Sequence, residues 1–166
     1  MNILTLDFET YFDDDYTLSK MTTEAYVRDP RFEAHGCGIK PADGKPFWVE
    51  PKFLYEYAVP LSASAVLCHH VAFDGLILSH HYGIRPARWL DTYSMAQFLF
   101  GPEQSKSLGA LAGRFGLAPK DVPYDLMTGR HWAEMDRETR DRVAAGALHD
   151  CELTHELFHR MMQGDY

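Results

Sequence analysis

Short apolar runs recur along the chain, cut by polar, glycine-bearing and proline-bearing segments, in the manner of alternating strands and helices. Asn2 to Phe8, built on Ile3, Leu4 and Leu6, reads as a buried strand. Asp13 to Thr23 opens on three aspartates and reads as a loop or short helix. Phe32 to Ile39 and Phe47 to Glu50 read as strands joined by the turn Pro41-Ala42-Asp43-Gly44, and Pro51 to Tyr57 as a short helix. The run Ala65 to Cys68 is a further buried strand, followed by a helix from Phe73 to His81 that stops at Gly83. Arg88 to Leu90 is a short strand. Helices are expected over Thr92 to Phe100 and over Ser107 to Phe115, the second ended by Gly116 and Pro119. Lys120 to Trp132 reads as irregular, and Asp136 to Met162 as one long helix. Strands come first and helices later, with some alternation. The fold class this predicts is α/β, a mixed central sheet with helices on both sides. No repeat or linker divides the chain, so one domain over residues 1–166 is expected.

Acidic residues stand at telling places in this pattern. Asp7 and Glu9 are two apart on the first strand and share a face, with Phe8 on the other. They lie at the carboxyl end of the strand, where α/β sheets place ligand sites. Asp74 follows the Ala65 to Cys68 strand at the start of a helix, where an acid also complements the helix dipole. Asp150 sits inside the last helix between Leu148 and Leu153, and a half-buried carboxylate there needs a partner. Carboxylates gathered from separate elements repel one another unless a cation lies between them. Such a set predicts Mg²⁺ or Mn²⁺ and phosphoryl chemistry.

A hydrophobic content of 46% and an aromatic content of 13% fit a folded globule. Net charge is −8, unfavourable for non-specific duplex binding, although bound cations reverse the sign locally. Cys37, Cys68 and Cys151 are odd in number and far apart, which points to a reducing, cytoplasmic setting. The N-terminus enters a strand at once, and no apolar run approaches the ~18 residues of a membrane span.

Together these residues resemble the DEDD, or DnaQ-like, 3′–5′ exonuclease superfamily. Asp7 and Glu9 match its D-x-E motif, Phe73 and Asp74 its N-x-x-F-D-type motif, and Asp150 its helix acid. Leu153-Thr154-His155-Glu156-Leu157-Phe158, Trp89-Leu90-Asp91-Thr92 and the Ser107 to Leu117 segment look like proofreading domains of phage-type and mitochondrial family A DNA polymerases. The resemblance spans Ile3 to Phe158 and rests on the order and spacing of motifs that are individually weak. It implies an RNase H-like fold and two metal ions held by Asp7, Glu9, Asp74 and Asp150, about 3.5–4 Å apart across the scissile phosphate. It also implies release of nucleoside monophosphates from single-stranded or frayed DNA 3′ ends. The partners it implies are a single-stranded DNA 3′ end and either a DNA polymerase domain or subunit or, for a free-standing relative, none, in a bacterial or phage-infected cell.

Two positions depart from the family pattern. Where the family places Tyr four residues before the helix acid, or His five before, this chain has Gly146 and Ala145. Gly146 shares a helical face with Asp150. A tyrosine placed there is expected to raise the rate if the pocket has room. His149 points about 100° away around the helix and is a candidate substitute base. The alternative is a catalytically weakened module that binds DNA ends. The second departure is His70, where the family commonly has Asn. His70 is a candidate contact of the terminal nucleotide, with Phe8, Thr10, Phe73 and Leu76 as flanks for a splayed base. Phe8 also fits the core by alternation. Lys106 and Arg114 are candidate phosphate contacts. His155-Glu156-Leu157-Phe158-His159 has the form of a zinc-protease helix, but only seven residues follow it in which its usual third ligand could lie.

Overall fold

The structure is a computed structural model and describes residues 2–165. Its five strands are β1 (Ile3–Thr10), β2 (Ala34–Pro41), β3 (Phe47–Val49), β4 (Ala65–Cys68) and β5 (Arg88–Asp91), in the spatial order β3-β2-β1-β4-β5. β1 is central, antiparallel to β2 and parallel to β4, and β4 is parallel to β5. This is the mixed α/β sheet expected. β4 pairs with β1 only from Ile3 to Thr5, so Asp7 and Glu9 lie beyond that pairing.

Helices cover both faces. α1 (Thr23–Arg28), α2 (Ala58–Ala63) and α3 (Val71–His81) bring Tyr26, Val27, Leu61, Ile77 and Leu78 into one core with Leu6, Phe8, Ile39 and Val66. α4 (Thr92–Phe100) and α5 (Leu108–Arg114) form a second cluster with Leu153, Leu157 and Met161 of α7 (Arg137–Gln163). The four-residue α6 (Tyr124–Met127) lies in the connection before α7. α7 is capped at its start by Asp136, whose side chain accepts from the Thr139 N–H at 2.7 Å, and at its end by Gly164 in the left-handed region, φ 79°.

Several expectations are refined. α1 was not foreseen, since six residues are too few for periodicity, although the Thr22 cap and Glu24 in its first turn are start signals. The helix expected at Pro51 to Tyr57 is a 3₁₀ segment that runs on into α2. The segment expected to be irregular, Lys120 to Trp132, holds α6. Trp48 and Trp132 pack together with ring centres 5.6 Å apart. Cys37, Cys68 and Cys151 are all buried and unpaired. No helix among the described residues is long and apolar enough to cross a membrane.

Candidate metal and nuclease centre

Three elements deliver the four acids. Asp7 and Glu9 project from the end of β1, Asp74 from the first turn of α3 and Asp150 from the middle of α7. One carboxylate oxygen from each of Asp7, Glu9 and Asp150 lies within 4.8 Å of the others. Asp74 joins by a different bond, accepting the Phe8 N–H at 2.9 Å between the two β1 acids. Asp7, Glu9 and Asp74 line a cleft of about 370 Å³. Glu9, Asp74 and Asp150 are buried, and Asp7 is half-buried.

A glycine allows this convergence. Gly38 stands opposite Asp7. A Cβ on Gly38 would lie 2.9 Å from Cys151 Sγ and 3.1 Å from the Ala147 carbonyl oxygen. Glycine there lets α7 press against the sheet at the turn that carries Asp150.

Burial and like charge make the cluster costly without a cation. Burial pushes Asp7 up to about 7, helped by Asp150 and opposed by Lys120. Burial and then Asp7 hold Glu9 and Asp74 well above the usual carboxylate range, and burial raises Asp150 against the pull of Lys120. Lys120 is the one lysine or arginine lining the cleft among the described residues, and its ammonium bonds directly to Asp150 Oδ2. Burial disfavours its charge, but Asp7 and Asp150 more than offset this and its pKa is raised. The other Asp150 oxygen, Oδ1, is buried without a hydrogen-bond partner. That orphan acceptor, a hard oxygen donor set and surplus negative charge fit a divalent cation. Asp7, Glu9 and Asp150 form the only such group of three among the described residues.

The remaining expected residues divide. Phe73, His70 and Thr10 line the cleft. The Thr10 hydroxyl is 2.8 Å from the Tyr26 hydroxyl. His70 stands at φ 79°, the only described non-glycine residue with positive φ, and its N–H donates to Asp91 Oδ1 at 2.8 Å. Asn tolerates that left-handed backbone better than most residues, a physical reason for Asn to suit this position. Phe8 borders the cleft, but its ring belongs to the core and stacks on Tyr82 at 5.9 Å. Leu76 is not brought to the carboxylates. It packs against the core and borders a separate hollow with Gly75 and Trp89.

His149 likewise lies elsewhere. Its Nε2 is 3.0 Å from the Pro119 carbonyl oxygen, in a hollow shared with Arg142 and Ala145. Lys106 is buried with its ammonium on the Gln104 carbonyl, and Arg114 stacks over Phe100 at 4.2 Å, so neither reaches the cleft. In the His155–His159 stretch, Glu156 accepts from Arg160 at 2.7 Å, and no third metal ligand gathers there among the described residues.

Among the cleft residues that sequence reasoning missed are Lys120 and Tyr124. Both come from the connection before α7, which passes over Gly146. A Cβ on Gly146 would lie 3.0 Å from the Val122 Cα and Cγ2 and 3.1 Å from the Asp121 carbonyl oxygen. The volume that a tyrosine side chain in place of Gly146 would need is filled by chain, which removes the condition for the rate gain expected from such a tyrosine. A lysine next to a proline, set before an unexplained mid-helix glycine, was the signal available.

No family model matches the sequence, and no curated protein sequence matches it either. Solved structures do match in shape. The Escherichia coli RNase D, an exoribonuclease involved in structured RNA processing, superposes with TM-score 0.61 at 14% identity, over 98% of this chain and 40% of that one. Brucella melitensis NrnC with bound Mg²⁺ gives 0.59 at 16% identity, over 98% and 75%. The catalytic core of RRP6 from Trypanosoma brucei gives 0.61 at 13% identity, over 98% and 42%. This chain thus spans less than half the length of RNase D. The architecture is the one these structures share, an RNase H-like mixed sheet flanked by helices.

Proposed function

We propose that the chain is a metal-dependent 3′–5′ exonuclease that removes nucleoside monophosphates from single-stranded or frayed 3′ ends. The observation that carries this reading is the convergence of Asp7, Glu9 and Asp150 at a cleft lined by Asp7, Glu9 and Asp74, on a fold shared with an exoribonuclease. Asp7, Glu9, Asp74 and Asp150 would hold two divalent ions. When bound, these supply a polarised water and charge stabilisation at the leaving oxygen. The protein groups do the rest. Asp74, fixed by the Phe8 amide, keeps its carboxylate at the β1 end. Phe73 and the wall formed by Thr10 and Tyr26 bound the space for one unstacked base. The end of β1 beyond its pairing with β4 admits a strand terminus to the acids. Water adds across the P–O3′ bond. Its oxygen stays on the phosphorus of the released nucleotide, and a proton ends on the 3′ oxygen of the shortened strand.

In the polymerase-type reading the substrate is DNA, and the activity proofreads beside a polymerase domain or subunit. The name of RNase D, an exoribonuclease, favours a second reading, an RNA 3′ end. Matched 3′-labelled DNA and RNA oligonucleotides, with Mn²⁺ or EDTA, separate the two. Mn²⁺-dependent mononucleotide release from one or both is expected, with none from a strand blocked at its 3′ end. Cuts inside a circular single strand would sink the exonuclease reading. Release from RNA alone would sink the DNA assignment.

A further inference from the structure

We propose that Tyr124, carried over α7 by the connection that packs on Gly146, orients the attacking water in this cleft. This role rests on the exonuclease reading above, in which the four acids leave open which side chain aims the water. Hydrolysis needs a polar group directed at it, and such groups typically contribute ~10²–10⁴-fold.

Most polar side chains of the cleft are already engaged. Asp74 accepts the Phe8 N–H, and Lys120 is bonded to Asp150. The Tyr26 hydroxyl lies 2.8 Å from Thr10 Oγ1 and donates to the Tyr11 carbonyl. His69 is held at both ring nitrogens, by Thr92 Oγ1 at 2.8 Å and the Lys106 carbonyl at 2.9 Å. Tyr124 differs. It is 44% exposed yet borders the same cleft as Asp7 and Glu9. Its ring centre is 5.4 Å from the Lys120 ammonium and its edge meets Phe12 at 6.2 Å. Lys120 in turn bonds to Asp150 Oδ2, so the Tyr124 ring stands beside the partner of that acid.

The backbone path explains how it arrives there. Val122 and Asp121 occupy the space beside Gly146, His149 holds the Pro119 carbonyl, and Lys120 ties the connection to Asp150. These anchors, all within the few residues before it, leave Tyr124 on the cleft side. A tyrosine on α7 itself would collide with this connection, so the phenol comes from outside the helix. Burial raises its pKa to about 12, so near neutral pH it donates a proton in a hydrogen bond and does not act as a base.

The test compares wild type, Tyr124→Phe and Gly146→Leu in single-turnover cleavage of 3′-labelled DNA and RNA with Mn²⁺, alongside melting with and without Mn²⁺. Phe keeps the ring contacts of Tyr124. Tyr124→Phe should lower kcat about 10²–10⁴-fold, with KM and the Mn²⁺-induced melting shift unchanged. Gly146→Leu pushes Val122 away without touching an acid and should lower kcat in the same direction. A Tyr124→Phe rate within about twofold of wild type, far below the span typical of such groups, overturns the proposal and leaves the exonuclease reading intact. A change confined to KM, or loss of the Mn²⁺ shift in Tyr124→Phe, also overturns it, since Tyr124 would then act in substrate binding or in site integrity. A wild type that releases no nucleotide from either oligonucleotide overturns the exonuclease reading and this proposal with it.

Discussion

The Phe8 N–H donates to Asp74 Oδ1 at 2.9 Å and fastens the first turn of α3 to the strand that carries Asp7 and Glu9. Asp74 therefore has a structural bond and a chemical task on the same carboxyl group, and two substitutions separate them. Asp74→Asn keeps an acceptor for Phe8 and should melt within a few degrees of wild type, yet lose metal-dependent cleavage. Asp74→Ala leaves a buried amide unbonded and should cost about 1–3 kcal/mol. Denaturant unfolding of both variants in EDTA checks this. Equal destabilisation would show that the bond to Phe8 contributes nothing.

Divalent metal should raise the melting temperature, because it binds the folded cluster and not the unfolded chain. At a hundredfold excess over Kd the gain is about 2.7 kcal/mol, or roughly 5–10 °C for a chain of this size. Asp7→Ala should abolish most of the shift. Scanning calorimetry with Mn²⁺ and with EDTA measures it.

Lys120→Met should destabilise the metal-free protein by up to about 3 kcal/mol, since it removes the partner of a buried carboxylate. The same variant should show a larger Mn²⁺-induced stabilisation than wild type, because the ion no longer competes with an ammonium for Asp150. A smaller shift would mean that Lys120 helps to hold the metal site together.

The raised pKa of Asp7 fixes the sign of a pH effect. The folded state keeps its proton to about 7, whereas the unfolded chain releases it near the ordinary value of 3.8. Between those values the folded state binds more protons, so this group's contribution to stability is lost as pH rises. Asp7→Asn removes the contribution. In EDTA its melting temperature should gain on wild type steadily from about pH 4 to about pH 7 and level off above. The difference between variants is the useful readout, because burial lowers His35 and His69 to about 4 and gives the opposite slope in both proteins.

Gly38→Ala should cost about 1–3 kcal/mol by overpacking β2 against α7, and should weaken Mn²⁺ binding by moving Asp150 away from Asp7. A stability loss with unchanged Mn²⁺ affinity, read by titration of the folded variant, would show that the close approach serves packing alone.

The acids were legible in the sequence because each sits in a local pattern. A strand end places Asp7 and Glu9 on one face, a strand-to-helix junction carries Asp74, and a polar residue on an apolar helix face marks Asp150. The sheet and the long helix followed from the same periodicities. Lys120 and Tyr124 were not legible. Their positions depend on how a connection without periodicity crosses a helix, and that path is set by the missing side chain of Gly146 and by one hydrogen bond from His149. His149 itself was assigned a chemical part on sequence proximity to Asp150, and the turn of the helix sends it to the opposite side of the connection. Leu76 was grouped with Phe73, but helical rotation carries it around to the core and a separate hollow.

β1 is paired with β2 along most of its length and with β4 as far as Thr5, and its carboxylates and core residues occupy alternate positions. The strand therefore has a parity. A single inserted or deleted residue ahead of Asp7 would turn Phe8 outward and drive two acids into the packed layer beneath, whereas a change of two would preserve the alternation. Divergence in this segment is thus confined to even steps. Relatives whose first strand differs in length should differ by whole pleats.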